Sequence, residues 1–414
     1  MKSMNWPRGF SATGLSAGLS KKKNKKDMAL FVTHVPANGA AVFTNSQVKA
    51  APILLTHDRL LKTRGRVRAV VVNSGSANAA TGKPGLQDAI DSTACVAEGL
   101  AGPKDEVWVA STGVIGTRID MSKYKAGLDR MIEQVKSGAA SNVNEGHLAA
   151  EAIMTTDTKV KIAETSFKIG GETVRMWGCC KGSGMIHPDL RGPRGQLHAT
   201  MLVFILTDAH IKSPLLQRAL EWVADKTFNC VSVDGDTSTN DFVSVLANGA
   251  SGAPEIKTMH ERAYTTFRSA LHEICEKLTT YIAMDGEGAS RLVQIFVENA
   301  RSEESARKMA AVIASSPLVK TACHGADPNW GRILAAMGRS GVKFDQSKVK
   351  IWLGGILVCK GGTEAPFSEP EAIRYMENKR IVIRVDLGLG KEWSHYKTCD
   401  FTGQYVGINA GYRT

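Results

Sequence analysis

The sequence predicts an α/β protein, an α+β layered sandwich of mixed sheets and helices. Two patterns predict it. Short apolar runs recur along the whole chain, and stretches with helical spacing of apolar residues stand between them. Size agrees: 414 residues, 43% hydrophobic and 22% charged, suffice for a large layered core and do not indicate disorder.

The elements follow in order. Residues 28–32 and 69–72 read as buried strands. The Asn73-Ser-Gly-Ser-Ala-Asn78 segment and the Thr81-Gly-Lys-Pro-Gly85 turn then lead into a helix around 89–100. Residues 107–110 form a strand that runs into Ser111-Thr112-Gly113, and loops leaving strand ends in this way often hold functional groups. Residues 201–206 are a continuous apolar strand. Ser213 and Pro214 suit the N-cap and first turn of a helix with Leu216, Ala219, Leu220 and Val223 on one face. Ser302, followed by Glu303 and Glu304, opens a helix to about Ser315. Val293, Ile295 and Val297 alternate as a strand does, and so do Ile381, Ile383 and Val385. No short repeat or low-complexity linker divides the chain.

Composition narrows the function. The net charge of +12 raises the prospect of an acidic partner, and much of the local excess is the run Lys21-Lys-Lys-Asn-Lys-Lys26. No aromatic residue interleaves with it, so it reads as a solvated loop, or a carboxylate-binding one, and nucleic acid is not expected as a partner. Eight cysteines without a CxxC, and ten histidines without an HExxH, argue against a disulfide framework or a metal site. No apolar run reaches the roughly eighteen residues of a membrane span. The first ten residues lack the look of a signal or transit peptide.

Three motifs fail on their own chemistry. Asp234-Gly-Asp-Thr-Ser-Thr-Asn-Asp241 starts like a calcium loop, but Thr239 replaces the required glycine and Val245 the bidentate glutamate. Asp234, Asp236 and Asp241 read instead as turn-forming acids. Leu387-Gly-Leu-Gly-Lys391 lacks phosphate-loop spacing, and no GxSxG elbow occurs. One dense stretch remains: Lys181-Gly-Ser-Gly-Met-Ile186, then His198-Ala-Thr-Met-Leu202. Cutting between Ala199 and Thr200 would make Thr200 the first residue of an apolar strand. Its free α-amine, with a reference pKa of about 8, could then serve as base for its own hydroxyl. Taken alone, Thr200 also reads as a β-branched residue beginning a buried strand.

The wider pattern favours the chemical reading. Pro7-Arg-Gly-Phe10, Asn73-Ser-Gly75, Ala77-Asn-Ala-Ala-Thr-Gly82, Ser111-Thr-Gly-Val-Ile-Gly116 and Ile153-Met-Thr-Thr-Asp-Thr158 occur in order. Val233-Asp-Gly-Asp-Thr-Ser-Thr-Asn-Asp241, Asp285-Gly-Glu-Gly-Ala289, Asp327-Pro-Asn-Trp-Gly-Arg332 and Ile408-Asn-Ala-Gly-Tyr-Arg-Thr414 follow. With them the sequence resembles, over essentially its whole length, the ornithine acetyltransferases, also called glutamate N-acetyltransferases, of arginine biosynthesis.

That resemblance implies a self-cleaving precursor: an α fragment, residues 1–199, and a β fragment, residues 200–414, forming one intertwined unit. It implies acetyl transfer from N-acetylornithine to glutamate through an acetyl ester on Thr200, with no cofactor and with acetyl-CoA as a possible co-substrate. It assigns Thr112 and Gly113 to the oxyanion, and Thr155, Lys181, Thr200, Glu287, Asn409 and Thr414 to substrate binding. Lys181 could meet the substrate carboxylate and Glu287 its amine. Asn409 and Thr414 lie where chains fray unless docked. A heterotetramer of two α and two β fragments is expected, in the cytoplasm, or in a mitochondrial or plastid matrix for a eukaryotic source. Two departures stand out. Residues 190–198 lengthen the segment before the scissile bond, either bulging outward or relaxing the turn that cleavage needs, and Gly411 replaces a usual acid. An uncleaved, catalytically impaired relative and a self-cleaving aminopeptidase or amidase are the alternatives.

Overall fold

The computed structural model describes residues 6–188, 190–193 and 201–411. Ala199, Thr200 and Thr414 lie outside the described residues. Two mixed sheets organise the chain, as the alternating pattern predicts.

The first sheet is built from β1 (Phe10–Leu15), β2 (Met28–Phe43), β3 (Arg66–Asn73), β4 (Val107–Ser111), β5 (Lys161–Ile169), β6 (Glu172–Lys181), β7 (Leu202–Thr207) and β8 (Phe242–Ala247). Its order is β4-β3-β2-β8-β7-β6-β5, with β1 added against β2. The pairs β3–β4 and β7–β8 are parallel, and the remaining pairs are antiparallel. β7 and β8 stand between β2 and β6, so residues from both sides of position 199 share one sheet.

The apolar run of β7 follows from this central place. Leu202, Phe204 and Leu206 face one core, and Val203 and Ile205 face the other. A strand covered on both faces has no need of polar alternation. One cover is α1 (Ala51–Lys62) with α4 (Val143–Ala152), and the other is α5 (Ser213–Lys226) with α6 (Arg262–Met284). α2 (Gly82–Gly99) and α3 (Met121–Lys136) pack over β3 and β4.

The second sheet contains β9 (Leu292–Ala300), β10 (Lys350–Leu353), β11 (Ile356–Lys360), β12 (Thr363–Glu364), β13 (Arg380–Asp386) and β14 (Glu392–Cys399), in the order β12-β11-β10-β13-β9-β14. α7 (Glu303–Ala314) packs on it. The alternating Val293, Ile295 and Val297 face this core beside Ile381, Ile383 and Val385.

One expectation needs correction. Ser213 is not the N-cap of α5: Lys212 holds that place, and the Ser213 hydroxyl donates to the Arg64 carbonyl at 3.0 Å. An oxygen turned outward to a neighbouring turn is not available to the helix's first N–H groups. Of the 190–198 stretch, residues 194–198 lie outside the described residues, and its first two residues are anchored to the fold. Leu190 is 2% exposed and exchanges hydrogen bonds with the Asn229 amide, and the Arg191 carbonyl accepts from the Phe43 N–H. Ser302 does cap α7, accepting from the Ser305 N–H at 3.1 Å. Among the described residues, no helix is long and apolar enough to cross a membrane.

Candidate active site

The cleft forms where several strand ends of the first sheet meet the loops that follow them. β4 ends at Ser111, and the chain continues into Thr112 and Gly113. Gly113 has φ of 124°, and a Cβ there would come within 2.9 Å of the Gly75 carbonyl carbon. Only glycine allows this turn to lie so close to its neighbour. Asn73 ties the two segments together: its amide donates to the Ser111 hydroxyl at 2.7 Å and accepts from the Ser76 N–H at 3.0 Å. The Thr112 N–H is committed to the Asn73 carbonyl at 2.9 Å, so the donor it can offer a ligand is its hydroxyl.

β6 brings Lys181 to the opposite wall. Its side chain is buried, and its Nζ lies 3.5 Å from the Thr112 hydroxyl. Burial lowers its pKa, while Asp157 pulls in the other direction. Asp157 accepts from the Thr155 N–H at 2.9 Å, the Gly182 N–H at 2.7 Å and Lys161 Nζ at 2.7 Å. Burial alone would raise the Asp157 carboxyl, but the Lys161 and Lys181 ammoniums and the Gly182 N–H hold it below the usual range. Lys161 also meets Asp285 at 2.5 Å, and Asp285 in turn accepts from the N–H and hydroxyl of Thr158.

Glu287 follows that aspartate in the chain. Its N–H donates to the Ser183 carbonyl at 2.9 Å, and its carboxylate accepts from the Asn409 amide at 2.8 Å. Asn409 belongs to the helix Gly403–Gly411, so this helix reaches the cleft. A Cβ on Gly184 would fall 2.4 Å from the Glu287 carboxyl carbon, so the loop makes room for that acid by having no side chain. Asp234 closes the adjacent turn, accepting from the N–H groups of Met185 at 2.6 Å and Ile186 at 3.0 Å. Burial pushes its pKa up to about 6. Asp241 is not a turn-closing acid of this kind. It is fully buried ahead of β8, and burial drives its carboxyl well above the usual range.

The cleft encloses about 200 Å³ and brings together Thr112, Gly113, Thr155, Lys181, Glu287 and Asn409. Met201, next in sequence to Thr200, leads into β7: its carbonyl accepts from the Phe242 N–H at 2.8 Å, and Leu202 pairs with Lys181, which lines the cleft.

Other residues of the site were given no role by the sequence. Asn240 donates to the Ala77 carbonyl at 2.6 Å and the Ser111 carbonyl at 2.8 Å, fastening the Thr112 turn from behind. Tyr405 lines the cleft. The basic run is only partly a solvated loop. Lys21 to Lys23 are exposed, but Lys26 pairs with Glu151 at 3.0 Å and Lys25 turns inward. Burial, with the Lys22 and Lys181 ammoniums, pushes Lys25 down to about 8.

Known proteins match this chain along its length. A profile of the ArgJ family matches residues 11–414. The arginine biosynthesis bifunctional protein ArgJ of Bacillus thuringiensis subsp. konkukian is 44% identical over 408 residues, covering 99% of this chain and 96% of its own. The Listeria monocytogenes protein of the same name is 43% identical, with coverage of 99% and 98%. Among solved structures, the Bacillus halodurans ArgJ protein is 42% identical with a TM-score of 0.49, covering 50% of this chain and 98% of its own. The Mycobacterium tuberculosis ornithine acetyltransferase complexed with ornithine is 37% identical with a TM-score of 0.39, covering 46% and 96%. The chain belongs to the ArgJ family.

Proposed function

We propose that this protein is a glutamate N-acetyltransferase of arginine biosynthesis, moving acetyl from N-acetylornithine to glutamate. One observation carries the reading: in an ArgJ-family chain, the buried Lys181, the buried Glu287 and the Thr112-Gly113 turn line one cleft of amino-acid size. The ammonium suits the α-carboxylate that both substrates share, and the carboxylate suits an amine.

Thr200 is the nucleophile in this proposal. Cleavage comes first: the Thr200 hydroxyl attacks the Ala199 carbonyl carbon, the peptide C–N bond breaks and frees the Thr200 α-amine, and water then opens the resulting ester, returning the Thr200 hydroxyl and leaving Ala199 as a carboxylate. In turnover the hydroxyl attacks the acetyl carbonyl of N-acetylornithine and passes its proton to that amine. The leaving nitrogen of ornithine takes the proton as its bond to acetyl breaks. The amine of glutamate then attacks the acetyl ester and restores the hydroxyl. Each step passes through an oxyanion, for which the Thr112 hydroxyl and the Gly113 N–H are the proposed donors. Acetyl already bound as an ester needs no cofactor, and acetyl-CoA is the proposed second donor.

Fragments 1–199 and 200–414 would stay together because β7 and β8 lie inside the sheet. Two copies of each in a cytoplasmic heterotetramer complete the proposal. Mass spectrometry of purified protein should show two fragments, with the second beginning at Thr200, and Thr200→Ala should give one intact chain without acetyl transfer. An intact wild-type chain that moves no acetyl from N-acetylornithine to glutamate would overturn the proposal.

A further inference from the structure

A second cavity, of about 480 Å³, opens where α5 and α6 meet β9 and β14. We infer that it is a binding site for a small organic cation, an amine, amidinium or guanidinium carried on a flat or apolar body. Nothing in the acetyl-transfer chemistry uses it.

Its walls are aromatic and open to solvent. Trp222 is 41% exposed and Trp393 56% exposed, although large aromatic side chains are normally covered. The Trp393 ring lies 6.2 Å from His395, which lies 6.0 Å from Phe296, and the Trp222 ring is 5.8 Å from His272. The Arg268 guanidinium sits 4.4 Å over the Trp222 ring, so this wall already receives one flat cation.

The charges fix the sign of the ligand. Both ammoniums near the cavity have carboxylates: Lys226 pairs with Glu303, and Lys397 Nζ with Glu276 Oε1 at 2.6 Å. The second oxygen of Glu276 is different. Among the described residues it is buried without a hydrogen-bond partner, as is His395 Nε2, and both residues line the cavity. A buried carboxylate oxygen left unmet bears the cost of its lost hydration, so the open demand is for a donor. Glu392 adds a third carboxylate to the lining, and burial holds the His272 and His395 imidazoles below their usual pKa, which favours their neutral forms. An anion would meet three carboxylates, and a purely apolar guest would leave both polar atoms unmet. A cation with N–H donors satisfies Glu276 while its body lies against the tryptophans.

Benzamidine is the probe, titrated into the full-length protein and followed by tryptophan fluorescence and calorimetry. Benzoate and benzyl alcohol serve as the anionic and neutral counterparts. Saturable binding is expected for benzamidine, with both counterparts at least about tenfold weaker. Glu276→Gln should weaken benzamidine about tenfold. Because Glu276 also answers the buried Lys397, that variant can fail to fold. Trp393→Ala, at an exposed position, keeps the test open and should weaken binding at least about fivefold. Absence of saturation, equal binding of benzoate, or an unchanged dissociation constant in Trp393→Ala would each overturn the inference.

Discussion

The cleft and the aromatic cavity both remove charge from water, and they differ in what completes the charge. Around the cleft, Lys161 stands between Asp157 and Asp285, and those two acids spend their other lone pairs on backbone N–H groups of Thr155, Thr158 and Gly182. The network is satisfied by the chain itself and holds the loops that carry Thr155 and Lys181. At the cavity, Glu276 has one oxygen met by Lys397 and the other, among the described residues, met by nothing. A self-satisfied network orders backbone, whereas an incomplete one leaves room for a guest. Variants in the two regions should therefore fail differently.

The largest effect is expected at Lys161→Met. Removing the cation leaves Asp157 and Asp285 buried with their charge unanswered, which costs about 3–5 kcal/mol. Urea unfolding measures this, and a loss under about 1 kcal/mol would show that the acids find other partners. The pH dependence has a definite sign. Asp157 is held below its unfolded pKa, so its contribution is complete above about pH 4 and is lost as the pH falls further. Asp157→Asn should flatten that part of the acid-unfolding curve. Trp393→Ala, half exposed at the cavity, should leave stability within about 0.5 kcal/mol of wild type.

Next in size is Thr112→Val, which keeps the shape and removes the hydroxyl. The Thr112 N–H is already bonded to Asn73, so the hydroxyl is the donor at risk. A loss of about 10²-fold in kcat with KM little changed is the expectation for a donor that serves the oxyanion. If KM rises and kcat holds, Thr112 serves ground-state binding instead. Stability should change little, the reverse of the Lys161 variant.

The two regions were unequally legible in the sequence. Motif resemblance marked Thr112, Gly113, Thr155, Lys181, Glu287 and Asn409, and the structure gathers them in one cleft. Continuous apolar runs marked β7 because a strand buried on both faces needs no polar alternation. The helix expected around 89–100 begins at Gly82, since its first turn is glycine and proline and hides the periodicity. The Lys161 network was invisible because Asp285 joins it from 124 positions away. The cavity left no local trace, because Trp222, Glu276, Phe296 and Trp393 come from four separate elements. Local patterns report strand faces and caps, and they do not report which distant charges will meet.

A smaller effect than either, expected at Ser302→Ala, tests whether the two regions are independent. Ser302 caps α7 through the Ser305 N–H, and the next residue, Glu303, pairs with Lys226 at the cavity rim. Loss of the cap should cost about 1 kcal/mol and speed amide exchange in the first turn of α7. A loosened turn gives Glu303 more freedom to leave Lys226, so the cavity should take a cation with a changed dissociation constant. The cleft draws none of its walls from α7, so the rate of acetyl transfer should hold. There is one physical route by which it could fail to hold. Cys230 lines the cavity, the Ser232 N–H bonds the Lys397 carbonyl, and the Val233 N–H bonds the Ile186 carbonyl, one step from Asp234 in the cleft. A fall in transfer rate with Ser302→Ala, at unchanged fragment stoichiometry, would mean that this short segment transmits strain from cavity to cleft. An unchanged rate would mean that the Asp234 turn, fixed by its own three backbone hydrogen bonds, isolates the chemistry from the cavity.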